Sequence, residues 1–124
     1  MVQDGFGVQV AERLEQIAGI SPQHYLGYIC RGVALGLHTQ LQEGLAEINQ
    51  AIPMEPGEWD AYVWKGMICA YLGRNLIAKE AIEKSLELNL PPILLKPLYW
   101  LEYERPVFFS EYAGPLLTSN GISR

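Results

Sequence analysis

Apolar residues recur at three- and four-residue steps between chain breakers over 25–38, 41–53, 59–72 and 75–89, the spacing that gathers them on one face of a helix. The four stretches read as two helix pairs, with Pro56-Gly57 making the turn between them and Gly73 placed to end the third helix with a left-handed cap. Upstream, residues 7–20 form a further amphipathic stretch, with Val8, Val10, Leu14 and Ile17 on one face, running to Pro22.

The two pairs are copies in register. Laid over itself, the middle of the chain repeats at one fixed offset: Tyr28 returns as Tyr62, Arg31-Gly32 as Lys65-Gly66, Ile48 as Ile82, Ala51 as Ser85 and Ile52 as Leu86. Pro22 and Pro56 keep the same interval, and the next stop falls at Leu90, before Pro91-Pro92. Helices approach closely only where the contact residues are small, and Gly32, Gly44, Ala51, Gly66, Ala78 and Ser85 fill those places. Tyr28, Leu35, Leu45 and Ile48, then Tyr62, Leu72, Ile82 and Leu86, are the expected large core side chains.

This pattern resembles the tetratricopeptide repeat. An aromatic opens the first helix, Gly follows four residues on, two small residues mark the second helix and Pro closes the unit: Tyr28, Gly32, Gly44, Ala51 and Pro56, then Tyr62, Gly66, Ala78, Ser85 and Leu90. The resemblance covers about 25–92, with repeats at 25–58 and 59–92. It implies an all-α fold of antiparallel helix-turn-helix repeats, stacked as a short right-handed solenoid with non-repeat caps. Residues 1–24 are then an N-terminal helix or partial repeat and 93–124 a helical cap, all within one domain over 1–124. The cap departs from the pattern, because Trp100 stands where a third close-packed Gly belongs. Pro97 is expected to delay or kink its helix, Arg105-Pro106 to start a new one and Gly114-Pro115 to break it.

Composition narrows the function. A net charge of −5, from 14 acidic and 9 basic residues, argues against a phosphate-binding surface and so against nucleic-acid partners. The sequence contains no apolar run of the roughly 18 residues needed to span a bilayer, so a soluble cytoplasmic protein without membrane partners is expected. Cys30 and Cys69 make neither a disulfide framework nor a zinc motif.

Candidate chemistry is sparse. His24 and His38 stand near helix ends with no nucleophile at a motif spacing, and read as surface or capping residues. Glu102, Glu104 and Glu111 read as a solvated face rather than a paired acid and base, and Glu80, Glu83, Lys84 and Glu87 as the wet side of a helix. Neither a phosphate loop nor a metal set nor a cofactor motif is evident, so no catalytic residue is assigned and an enzyme is not expected. Carried over position by position, the family's ligand-facing sites fall on Leu26, Ile29, Cys30, Val33 and Leu37, then Asp60, Val63, Trp64, Met67 and Tyr71. The basic clamp by which some family members grip acidic tails is absent from this mostly apolar lining. A protein or peptide partner of apolar or amphipathic character is therefore expected on the concave face. The alternative is a homo-oligomerisation module whose groove is filled by its own Phe108, Phe109, Tyr112, Leu116 and Leu117.

Overall fold

The chain folds, in a computed structural model that describes residues 24–122, as a succession of helices with no strand among those residues. The amphipathic stretch expected over 7–20 lies outside the described residues. Helix α1 (Tyr25–Leu37) pairs with α2 (Leu41–Ala51), and α3 (Trp59–Tyr71) pairs with α4 (Asn75–Glu87). Further contacts join α2 to α3 and α1 to α3, so the second pair leans on the first through its leading helix.

The repeat interval of the sequence reappears in backbone detail. Helices α1 and α3 begin and end one repeat apart and are each 13 residues long. Both end in the same hydrogen-bonded turn: Gln40 N–H reaches Leu35 O at 2.8 Å, and Arg74 N–H reaches Cys69 O at 2.9 Å. The residue that reverses the chain is left-handed in both, Thr39 at φ 68° and Gly73 at φ 78°. Glycine adopts that conformation freely, whereas Thr39 crowds its Cβ against its own carbonyl.

Close packing within each pair depends on the small residues. A Cβ placed on Gly66 would stand 2.5 Å from Ile82 Cγ1 and 3.2 Å from Ala78 O. One on Gly32 would stand 2.7 Å from Ile48 Cδ1 and 2.8 Å from Gly44 O. Ile48 and Ile82 thus lie directly over the two glycines, and both are wholly buried. Ser85 is buried at the third small position, where its hydroxyl donates to Ile82 O at 2.6 Å. Of the expected core side chains, Leu45, Ile48 and Ile82 are buried, whereas Tyr28, Leu35, Tyr62, Leu72 and Leu86 are only partly so. Each tyrosine keeps a polar or cationic neighbour at the surface. Tyr62 donates to Pro56 O at 3.2 Å, and the Arg31 guanidinium lies 4.6 Å from the centre of the Tyr28 ring.

Beyond α4, a 3₁₀ turn (Pro92–Leu94) leads into α5 (Leu95–Glu104), which places Pro97 in the first turn, where no backbone donor is needed. Pro106 opens α6 (Pro106–Phe108), which continues through a π turn (Phe109–Ala113) into α7 (Gly114–Ser119). The break expected at Gly114-Pro115 does not occur. Gly114 is helical, at φ −57° and ψ −52°, and its N–H bonds back five residues to Phe109 O. This widened turn accommodates the missing donor and the ring of Pro115, which an unbroken α-helix would not. Helix α5 packs on α3, and the π turn packs on α4 and α5. Leu98, Leu101, Phe108, Leu116 and Leu117 join one core with the residues of the two pairs.

Candidate functional site

The ten side chains expected to line a ligand-facing surface divide sharply by exposure. Ile29, Val33 and Leu37 of α1 and Val63, Met67 and Tyr71 of α3 are buried in the core. Leu26 is 48% exposed, and Cys30, Asp60 and Trp64 are half-buried. Four residues therefore carry the accessible surface. Leu26 and Cys30 lie one turn apart on α1, and Asp60 and Trp64 one turn apart on α3, so each pair shares a helix face.

Three observations bring the two faces together. Helices α1 and α3 are in contact. The Tyr25 hydroxyl crosses between them to donate to Asp60 Oδ2 at 3.3 Å. The Asp60 charge also reaches the Cys30 thiol, where burial first and that carboxylate second push the thiol pKa up, while Arg31 only partly opposes them. Cys30 is consequently a protonated thiol, the pull of Arg31 being outweighed by burial and Asp60. Burial likewise raises Asp60 above the usual carboxylate range, although the bonds from Tyr25 and from its own backbone N–H pull the other way. Sequence reasoning missed Tyr25. Its signal was available, because an aromatic opens α1 at Tyr25 and α3 at Trp59, again one repeat apart.

The charged groups nearby are engaged elsewhere. Arg31 pairs with Glu47 at 3.2 Å while covering Tyr28. Lys65 lines a small cleft of about 170 Å³ with Tyr62, Ile77, Glu80, Ala81 and Lys84, on the side facing α4. At the far end of α3, Arg105 lies 4.8 Å above the Tyr71 ring and donates to Tyr71 O at 3.2 Å, fastening the C-terminal region to this helix. The Tyr71 hydroxyl is buried without a hydrogen bond of good geometry, and burial with the neighbouring Glu104 carboxylate pushes its pKa up.

Two larger clefts flank the C-terminal run. One, of about 600 Å³, separates α4 from the π turn and α7, with Glu83, Glu87 and Glu111 at its rim beside Lys79 and Leu116. The other, of about 470 Å³, lies between α5 and α7, lined by Tyr99, Phe109, Leu117 and Ile122 with Glu102 at its edge. Glu102 and Glu111 thus serve different clefts. Among the described residues, no three His, Cys, Asp or Glu side chains converge as a metal would require. His24 is a helix cap, its Nδ1 accepting from Leu26 N–H at 3.2 Å. No helix among the described residues is long and apolar enough to cross a membrane. No protein-family model matches the chain, and no curated protein or solved structure matches it.

Proposed function

We propose that this chain is a non-catalytic protein-interaction module of tetratricopeptide type, a short right-handed solenoid that holds an apolar or amphipathic segment of a partner against the α1–α3 face. The observation that carries this reading is the accessible remnant of that face. Leu26, Cys30, Asp60 and Trp64 present a strip across two successive leading helices, resting on a floor of buried Ile29, Val33, Val63 and Met67. A flat, firmly supported strip with one large aromatic suits a helix laid across it, and aromatics commonly dominate such contacts. Support for the repeat reading comes from the duplicated turns and the duplicated Gly–Ile contacts, each recurring one repeat further along the chain. The C-terminal run extends the same order, with α5 on the α3 side and the π turn on the α4 side.

A displayed library of amphipathic helical peptides, selected on the full chain, tests the reading. Peptides recovered should lose binding by roughly tenfold or more with Trp64→Ala or Leu26→Asp, and keep it with Leu76→Asp on α4. Binders indifferent to Leu26 and Trp64 would move the site elsewhere.

A second reading, self-association, is favoured by the apolar cleft between α5 and α7, where a further helix of a continuing stack would lie. Tyr103 and Val107 are also well exposed nearby in sequence, at 78% and 64%. In that version a second copy covers the end of the stack. Light scattering that reports a monomer across a wide concentration range eliminates it.

A further inference from the structure

If the α1–α3 face holds a helical partner, the chemistry of that face also limits which helix fits. Asp60 is the only formally charged residue among the ten lining positions. It is half-buried, and no ion pair reaches it among the described residues, whose one salt bridge joins Arg31 to Glu47. Lys65, the cation of its own helix, faces the α4 side instead. Among the described residues the carboxylate accepts one side-chain hydrogen bond, a long one from the neutral Tyr25 hydroxyl at 3.3 Å, besides its own backbone N–H, although two oxygens can accept about four.

Asp60 also stands in the first turn of α3, where the helix dipole and its own backbone N–H favour an acid, although α1 carries Leu26 at the matching register and has no acid in its first turn. A half-buried, unpaired carboxylate in apolar surroundings is costly in the free protein, and burial accordingly raises its pKa. An incoming cation would relieve that cost. One turn along, Trp64 supplies a ring over which the same cation can lie.

We propose that the α1–α3 face selects an amphipathic helix carrying one Lys or Arg within its apolar stripe, seated between Asp60 and Trp64. The inference rests on the helix-binding reading above and adds a requirement to it. The stem of a long basic side chain would cover Leu26 and Cys30 while its head meets the carboxylate.

The test uses a library of helical peptides of about 18 residues, with one stripe position fully randomised, selected in parallel on the full chain and on its Asp60→Asn variant. Asparagine keeps an acceptor for Tyr25, and a cooperative melt at or above the native melting temperature verifies the variant's fold. Lys and Arg should be enriched at that position on the native chain, with affinity about tenfold above the Gln version, and the Lys-over-Gln ratio should fall to about one on Asp60→Asn. Equal affinity for Lys, Gln and Glu peptides overturns the inference and leaves helix binding intact. A basic preference that survives Asp60→Asn also overturns it, assigning the preference to the overall acidity of the chain. Recovery of no binder, or only of binders insensitive to Leu26→Asp, overturns the helix-binding reading and this inference with it.

Discussion

Replacing Gly66 is the most direct probe of how the repeats are built. A methyl group there would sit 2.5 Å from Ile82 Cγ1 and 3.2 Å from both Ala78 O and Ile82 N, so an unmoved neighbour is impossible. Ile82 is fully buried and cannot swing away, and two of the three near atoms are backbone. The helices must therefore separate. In its favour, alanine gains about 1 kcal/mol of helix propensity over glycine. Against it stands overpacking of a close-packed core, typically about 1–3 kcal/mol and at its upper end where backbone is struck. Gly66→Ala should thus cost about 1–2 kcal/mol net, lowering the melting temperature by roughly 5–12 °C. Gly66→Leu, which inserts three further carbons, should cost about 4 kcal/mol or more, a large part of a small domain's stability. A double-mutant cycle locates the cause. Ile82→Ala alone opens a cavity worth about 2–5 kcal/mol, but in the Gly66→Ala background it also removes the clash, so the two losses should fall short of additivity by about 1 kcal/mol. Gly57→Ala is the control, since nothing lies within 4 Å of a Cβ there. Urea melts followed by circular dichroism supply the numbers. A Gly66→Ala melting point at or above the native one, or strict additivity with Ile82→Ala, would refute the packing described.

Other sites give sharper signs with smaller sizes. Thr39→Gly should stabilise by about 0.5–1 kcal/mol in the same urea melts, because it relieves a left-handed threonine at the turn where the second repeat uses Gly73. Tyr71→Phe should be neutral or stabilising by up to about 1 kcal/mol, since it removes a buried hydroxyl with no well-formed bond and keeps the ring beneath Arg105; a clear loss would reveal a bond to Glu104. Asp60 has a folded pKa above its unfolded value, so its protonated form favours folding. Its contribution is fullest below pH of about 4 and is lost as pH rises through the folded pKa. Asp60→Asn should accordingly raise neutral-pH stability relative to its acid value, and identical pH profiles for the two chains would contradict the burial. Truncation after Leu90 deletes buried Leu98, Leu101, Phe108, Leu116 and Leu117, and should leave an aggregating or molten chain that binds hydrophobic dye; a soluble, cooperatively melting fragment would show that the segment is not structural.

How far the sequence was legible depended on whether a feature was local. The repeat interval placed the helix pairs to within two residues at each end, because periodicity, Gly66 and Gly73 are signals contained in a few turns. Burial on the outward side of α1 and α3 was not legible in the same way. An apolar residue at a leading-helix position reads alike whether it is floor or lip, and only the packing of α3 on α1 and of α5 on α3 separates buried Val63 and Met67 from half-exposed Trp64. The tyrosines show the converse error. Tyr28 and Tyr62 stand one repeat apart, yet both are only partly buried, the Tyr28 ring beneath Arg31 and the Tyr62 hydroxyl bonded to Pro56 O.

The C-terminal run shows why a local rule fails when its conditions are met elsewhere. Gly-Pro ordinarily ends a helix because proline lacks a donor and its ring strikes the carbonyl four residues back. Here the turn before Pro115 is a π turn, and Gly114 bonds to Phe109 O instead. The widened turn has a local support, the stack of Phe108 on Tyr112 at 5.5 Å, and a long-range one, Phe109 against Tyr99 of α5 with ring centres 5.8 Å apart, while Leu116 and Leu117 are buried beyond it. Tyr99 belongs to α5, and α5 packs on α3, at whose end Arg105 meets Tyr71. Part of the support for the turn before Pro115 therefore lies on α5, at Tyr99, outside a short window of sequence around Gly114. The C-terminal run thus packs on α3 and α4 without continuing the sequence pattern of the two helix pairs.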